Sequence, residues 1–183
     1  MTVQPVAGIG NNEVPTGTAG IIPLDESNMR QLRDCLGRFA TGVTVVTCNG
    51  SGGPCGITAN SFSSVSLDPP LILWNIAKVS HSLEAYLAAE HFAINILAAD
   101  QGSLSHHFAQ SDHTAFDGVA YELSGNGVPV LPDTLACIEC RTHAIHDCGD
   151  HHIIVGEVQE FRYDHTDPLL FYAGEYARLV REP

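Results

Sequence analysis

Residues 56–71 read GITANSFSSVSLDPPL, and the chain is arranged around this stretch. Small hydroxyl and amide side chains crowd it: Thr58, Asn60, Ser61, Ser63, Ser64 and Ser66. Read as one strand, alternate residues point to opposite faces. One face is then Ile57, Ala59, Ser61, Ser63 and Val65. The other is Thr58, Asn60, Phe62, Ser64 and Ser66. Neither is cleanly apolar, although the neighbouring runs VTVVTC and LILWNIA are. Two readings fit this pattern: a strand that spends its hydroxyls on a polar ligand, or an edge strand with a polar face in water.

Outward from it, the period of the apolar residues changes several times. Met29, Leu32, Leu36, Phe39 and Ala40 recur at helical spacing, with Ser27 placed to cap the helix and Gly42 to end it. Val43–Cys48 reads as a strand, residues 49–53 as a hairpin loop, and Leu71–Ala77 as a further strand. A second helix follows from Ser80 or Ser82 to Glu90, with Leu83, Tyr86 and Leu87 inward, then a strand at His91–Leu97. Asp100 can cap a short helix holding Leu104 and Phe108. Loops at residues 111–113 and 124–127 flank a short strand at Val119–Leu123. Two long strands, Leu135–Cys148 and His151–Tyr163, meet at Gly149-Asp150, a turn suited to a tight hairpin. A last strand is read at Leu169–Tyr172. About seven strands and few helices predict a mainly β fold, a barrel with peripheral helices. Residues 1–22 read as a flexible N-terminal arm.

Composition sets limits. The chain has 183 residues, enough for one domain with a core, and its formal net charge is −13 with only eight Lys and Arg. That balance argues against nucleic acid, which needs a basic footprint. No apolar run approaches the roughly 20 residues of a membrane span, and no signal peptide is visible at the start. The expectation is a soluble, cytoplasmic protein with reduced thiols at its six Cys.

Residues 137–152, CIECRTHAIHDCGDHH, invite a zinc reading. On a strand, however, Cys137 and Cys140 point to opposite faces, as do His143 and His146, so no metal is expected from them; the in-phase set of His146, Cys148 and His151 or His152 across the hairpin is the remaining alternative. There is no GxSxG for a serine hydrolase and no GxGxxG between a strand and a helix. An anion site can be argued, beside the plainer alternative of an ordinary Ser cap with a solvated Lys. Lys78-Val79-Ser80-His81-Ser82 precedes a helix, where free N–H groups, the Lys78 charge and a Ser80 or Ser82 hydroxyl would favour phosphate.

Taken together, these segments resemble the short-chain flavin reductase family, the reductase components of two-component flavin monooxygenases. The resemblance runs from about Met29 to Leu179. It is carried by FATGVTVVT (Phe39–Thr47), GITANSFSSVSLDPPL, FAINILAADQ (Phe92–Gln101), GDHHIIVGEV (Gly149–Val158) and PLLFYAGEY (Pro168–Tyr176). It implies a six-stranded antiparallel Greek-key split barrel that binds FMN, spanning residues 23–183 and forming a homodimer. It implies an NAD(P)H-dependent flavin reductase that passes hydride from the nicotinamide C4 to the N5 of FMN or FAD. The reduced flavin then goes to a partner monooxygenase. Such chemistry needs little acid–base machinery of the protein.

The resemblance places Thr58, Ala59, Asn60 and Ser61 along the isoalloxazine and Ser64, Val65 and Ser66 near it or the ribityl chain. Ala77, Lys78, Ser80 and Ser82 fall at the phosphate end. Gly149, Asp150 and His151 fall by the nicotinamide, with His151 as the catalytic candidate. Two departures stand out. Ala173 and Glu175 replace the basic residue often found in the C-terminal segment, and SHS replaces SxT before the second helix. Scarce positive charge favours NADH over NADPH. Two alternatives share the fold: a fixed flavin that reduces a corrinoid cobalt or a quinone, and a flavin-binding protein without turnover.

Overall fold

The computed structural model describes residues 2–5, 20–110 and 116–180. In chain order the elements are β1 (Thr2–Pro5), a single 3-10 turn (Glu26–Asn28), α1 (Met29–Leu36), β2 (Thr41–Gly42), β3 (Thr44–Gly50) and β4 (Gly53–Ala59). Then come β5 (Ser63–Leu67), β6 (Pro70–Ala77), α2 (Leu83–Ala88), β7 (His91–Ile96) and α3 (Gly102–Gln110). The chain finishes with β8 (Glu122–Leu123), β9 (Pro129–Val130), β10 (Ala136–Cys148), β11 (His151–Tyr163), β12 (Leu170–Tyr172) and β13 (Glu175–Val180).

Seven strands form the main antiparallel sheet in the order β4-β3-β7-β10-β11-β6-β5. The β10–β11 hairpin is inserted between β7 and β6, which is a Greek-key order. The two outermost strands, β4 and β5, are joined by residues 60–62 alone. A link that short forces the sheet to curl until its ends approach, yet β4 and β5 share no ladder, so the barrel is split. Ser61 stitches the gap: the Asn75 N–H donates to its Oγ (2.9 Å), and that Oγ donates to the Asn75 carbonyl (3.3 Å). The mainly β, antiparallel class is as expected from the sequence. The strand count is seven rather than six because the stretch read as one strand is two, β4 on β3 and β5 on β6. Its alternation therefore cannot be followed through 60–62.

The interior is apolar. Val46, Cys48, Ile72, Trp74, Ile76, Tyr86, Phe92, Ile94, Cys140 and Ile154 form one buried cluster. The Trp74 and Tyr86 rings meet edge-on at 5.0 Å, and the Tyr86 hydroxyl donates to the Val46 carbonyl at 2.6 Å. Gly156 lets β11 pass this cluster: a Cβ there would lie 2.5 Å from the Phe92 ring and 2.8 Å from the Cys140 Cβ.

Several local expectations are corrected. Asp25, not Ser27, caps the first helical segment, accepting from the Ser27 N–H at 2.8 Å while Asn28 accepts from the Asp25 N–H. Helix α1 ends at Gly37 rather than Gly42. The Gly37 carbonyl accepts from Ala173 N–H, and Thr41–Gly42 pair with β12. Met29 and Leu36 on α1 and Phe39 just after it are exposed among the described residues. The carbonyl that receives the Ser105 N–H at the start of α3 is that of Gln101, not Asp100. The short strand read at Val119–Leu123 is only Glu122–Leu123, paired with Pro129–Val130.

Strand β13 was not foreseen. It pairs with β12 through Ala173 and Gly174, both at positive φ (51° and 89°), as a two-residue hairpin turn requires. Of the N-terminal arm, Thr2–Pro5 run antiparallel to β13. The rest of that arm up to residue 19, and the loop at 111–113, lie outside the described residues.

Candidate functional site

The split in the barrel sets the site. The 58–61 segment runs off the end of β4, and its side chains are all small. Thr58 Oγ1 donates to the Ser105 carbonyl at 2.6 Å, and Thr58, Ala59 and Asn60 line a mostly apolar cleft of about 190 Å³ with Val43, Ser105, Ala109, Phe171 and Tyr176. The Tyr176 hydroxyl donates to Ser105 Oγ at 2.8 Å. At its other end the segment reaches β6 at Asn75 through Ser61.

Two residues beyond Asn75, β6 ends at Ala77, opposite His151. The Lys78 N–H donates to the Asp150 carbonyl at 2.9 Å, tying the end of β6 to the Gly149-Asp150 turn. Gly149 takes φ +62°, the conformation the turn demands. Lys78 Nζ pairs with Asp147 at 2.7 Å, and His151 Nδ1 with Asp150 at 2.7 Å. The Lys78 hydrogen bond holds the Asp147 carboxyl below the usual range, and the His151 hydrogen bond does the same for Asp150. Asn60, Ser61, Ala77, Lys78, Gly149, Asp150 and His151 thus lie along one rim.

Side chains alternate along β11. Ile154 and Gly156 face the interior, while His151 shares the other face with Ile153 and Val155. His152 lies on the interior side, with a buried Nδ1 that has no partner among the described residues.

Other expected residues are placed differently. Helix α2 is six residues long and begins at Leu83. Ser80 and Ser82 sit in the turn that leads into it, beside Lys78, and the Ser82 N–H donates to Ser80 Oγ. Ser82 makes no capping bond with its side chain. Ser64, Val65 and Ser66 lie on the edge strand β5. Ser66 pairs with Leu71, six residues along β6 from Ala77, or about 20 Å.

Asn75, Asp147, Ser105 and Tyr176 were not singled out from the sequence. Asn75 carried a signal, a lone amide inside LILWNIA between the inward Trp74 and Ile76. Its Oδ1 is buried with no partner among the described residues. Asp147 carried none, because 69 residues separate it from Lys78.

The zinc-like segment is spread out. Cys137 packs on Ala93 and Val128, while Cys140 joins the main core on the opposite face. Burial pushes the Cys137 thiol up to about 11 and Cys140 to about 12, so both stay protonated at neutral pH. Among the described residues, no three His, Cys, Asp or Glu side chains gather as metal ligands do, and all six cysteines are free thiols. A second crevice, about 230 Å³, lies at the far end of the β10–β11 hairpin and includes Glu122, Glu139, Glu160 and Arg162.

A flat ring fits the small side chains of 58–61, and a phosphate fits the ammonium of Lys78. The fold and this rim define a split-barrel protein. A family model described as the flavin reductase like domain matches residues 36–180, and the chain belongs to that family. It is 52% identical over 155 residues to FMN reductase (NADH) SmoA of Agrobacterium fabrum, covering 85% of this chain and 88% of that one. It is 38% identical over 158 residues to the flavin-dependent monooxygenase reductase subunit HsaB of Rhodococcus jostii, covering 86% and 81%. Some curated relatives are longer, and the chain spans about half the length of two of them. Among solved structures, the NADH:FAD oxidoreductase SgcE6 of Streptomyces globisporus superposes with a TM-score of 0.83 at 36% identity, over 90% of this chain and 100% of that one.

Proposed function

We infer that this chain is an NADH-dependent flavin reductase that supplies reduced FMN or FAD to a partner monooxygenase. The observation that carries the reading is the rim. The small-residue segment 58–61, the cation of Lys78 and the ring of His151 lie side by side, in a family whose members are named for this activity. When bound, the flavin supplies the hydride acceptor. The chain supplies the seat. Thr58, Ala59, Asn60 and Ser61 would lie along the ring, and Ser64, Val65 and Ser66 on the neighbouring edge strand. Ala77, Lys78, Ser80 and Ser82 would meet the phosphate. His151, fixed by Asp150 and the Gly149 turn, would orient the nicotinamide carboxamide.

Steady-state NADH oxidation with excess free flavin tests this. Turnover should rise with free flavin and saturate. Tight binding without turnover would make the protein a carrier; a flavin that stays bound while another acceptor is reduced would make it a fixed-flavin enzyme. NADPH should be the poorer donor, since Lys78 is the only lysine in the sequence and cations are scarce.

The same reading takes the protein as a cytoplasmic homodimer with residues 1–22 as an arm. Among the described residues, no helix is long and apolar enough to cross a membrane. Met29 and Leu36 on α1, Phe39 just after it, and Val65 and Leu67 on β5 are exposed apolar groups that a second copy would cover. Sedimentation equilibrium should give twice the chain mass.

A further inference from the structure

We propose that Asp147 is a built-in competitor for the flavin phosphate at Lys78, and so keeps flavin a diffusing substrate rather than a fixed group. The proposal rests on the reading of Lys78 as the phosphate contact.

The backbone arranges the contest. Asp147 sits opposite His152 on the hairpin, His151 sits opposite Ala77, and the Lys78 N–H is bonded to the Asp150 carbonyl. Both side chains are therefore delivered to one spot by paired strands, and they meet at 2.7 Å. A carboxylate oxygen and a phosphate oxygen make the same charge-assisted bond to an ammonium. The ammonium of Lys78, the only lysine of the chain, has three N–H donors but one charge, so a carboxylate held there weakens its hold on a phosphate.

Exposure sets the strength of the contest. The Lys78 side chain is 35% exposed and that of Asp147 69%, so water screens the pair and a doubly charged phosphate can displace the carboxylate. The carboxylate is tethered, however, and is present at high effective concentration whenever the phosphate lifts away. It recaptures the ammonium and removes the anchor the phosphate would return to. A reductase that passes its product to another protein needs that release.

The test is equilibrium binding of oxidised FMN and of riboflavin, without NADH, to four proteins: the wild type, Asp147→Asn, Lys78→Ala and the double variant. Asp147→Asn should bind FMN about two- to five-fold more tightly and riboflavin unchanged. The gain should vanish in the Lys78→Ala background. A gain that persists there would be the general field of a removed carboxylate, and would overturn the competition. Unchanged or weaker FMN binding by Asp147→Asn, with Lys78→Ala still selective against FMN, would overturn the proposal alone. Equal loss of FMN and riboflavin in Lys78→Ala would remove the phosphate reading beneath it.

Discussion

On β6, Ile72, Trp74 and Ile76 are 5%, 0% and 1% exposed, while Asn75 and Ala77, alternating with them, stay partly open. On β11, Ile154 and Gly156 are buried against the same cluster, while His151 and Ile153 look the other way. The same two strands thus carry a closed apolar face and a polar, half-open one. Every interior position is fixed by contact with neighbours. The rim positions are fixed mainly by backbone: the Ser61 stitch, the Lys78–Asp150 bond and the Gly149 turn. Stability should therefore be damaged from one face and function from the other.

The largest effect should come from the closed face. Trp74→Ala deletes a fully buried ring that contacts Tyr86 and Phe92, and such truncations cost about 3–5 kcal/mol. Denaturant unfolding without flavin should show it. A loss below about 1 kcal/mol would mean that the interior repacks and is not the rigid half of the comparison.

Gly156→Ala tests the same face by addition. The new methyl would meet the Phe92 ring at 2.5 Å and the Cys140 Cβ at 2.8 Å, and the second cannot swing away. Overpacking of this kind costs about 1–3 kcal/mol. Unfolding midpoints should fall, while flavin affinity per folded molecule stays unchanged.

His151→Ala moves to the open face. Flavin affinity and stability should be kept, and the rate of flavin reduction at limiting NADH should fall by about ten-fold, which corresponds to 1.4 kcal/mol of lost transition-state interaction. Stopped-flow reduction at varied NADH reads this out. His152→Ala, on the interior side, should leave the reduction rate within about two-fold. If it were the slow variant, the assignment of faces on β11 to function would be reversed.

Much of this division was legible in the residues. The long hairpin and its Gly149-Asp150 turn could be placed because two strands flank a strong turn signal. Alternation on β11 separates His151, Ile153 and Val155 from His152, Ile154 and Gly156, but it does not say which set faces the interior. The break at 60–62 could not be read, because Asn60, Ser61 and Phe62 are all compatible with a continuing strand. Only the need to reach the opposite edge of a curled sheet reveals it. Strand β13 was missed since Ala173 occupies a turn position usually given to Gly or Asn. The Lys78–Asp147 pair was invisible for a different reason: it exists only through the combined registers of β6, β11 and β10. The exposed side of α1 had the right period for a core helix, and period does not tell whether the covering surface belongs to the same chain.

The smallest effect, and the one that probes the boundary between the two regions, should come from Tyr176→Phe. Tyr176 lies on β13, Ser105 on α3 and Thr58 on β4. The first donates to the hydroxyl of Ser105 and the last to its carbonyl, so one fully buried serine ties β13 to the 58–61 segment. Removing the phenolic oxygen keeps the ring against Phe171 and leaves Ser105 Oγ without that donor. A net hydrogen bond is worth about 1 kcal/mol, which for a chain of this size lowers Tm by about 2–4 °C. Thr58 keeps its own bond to the Ser105 carbonyl, so FMN affinity should change by less than about two-fold. Thermal melts of the variant with and without saturating FMN should therefore shift in parallel. If the flavin-free melt is unchanged and the FMN-dependent increment is lost, the wall of the 190 Å³ cleft belongs to the binding site itself, and the line between packing and function runs through α3 rather than along the faces of β6 and β11.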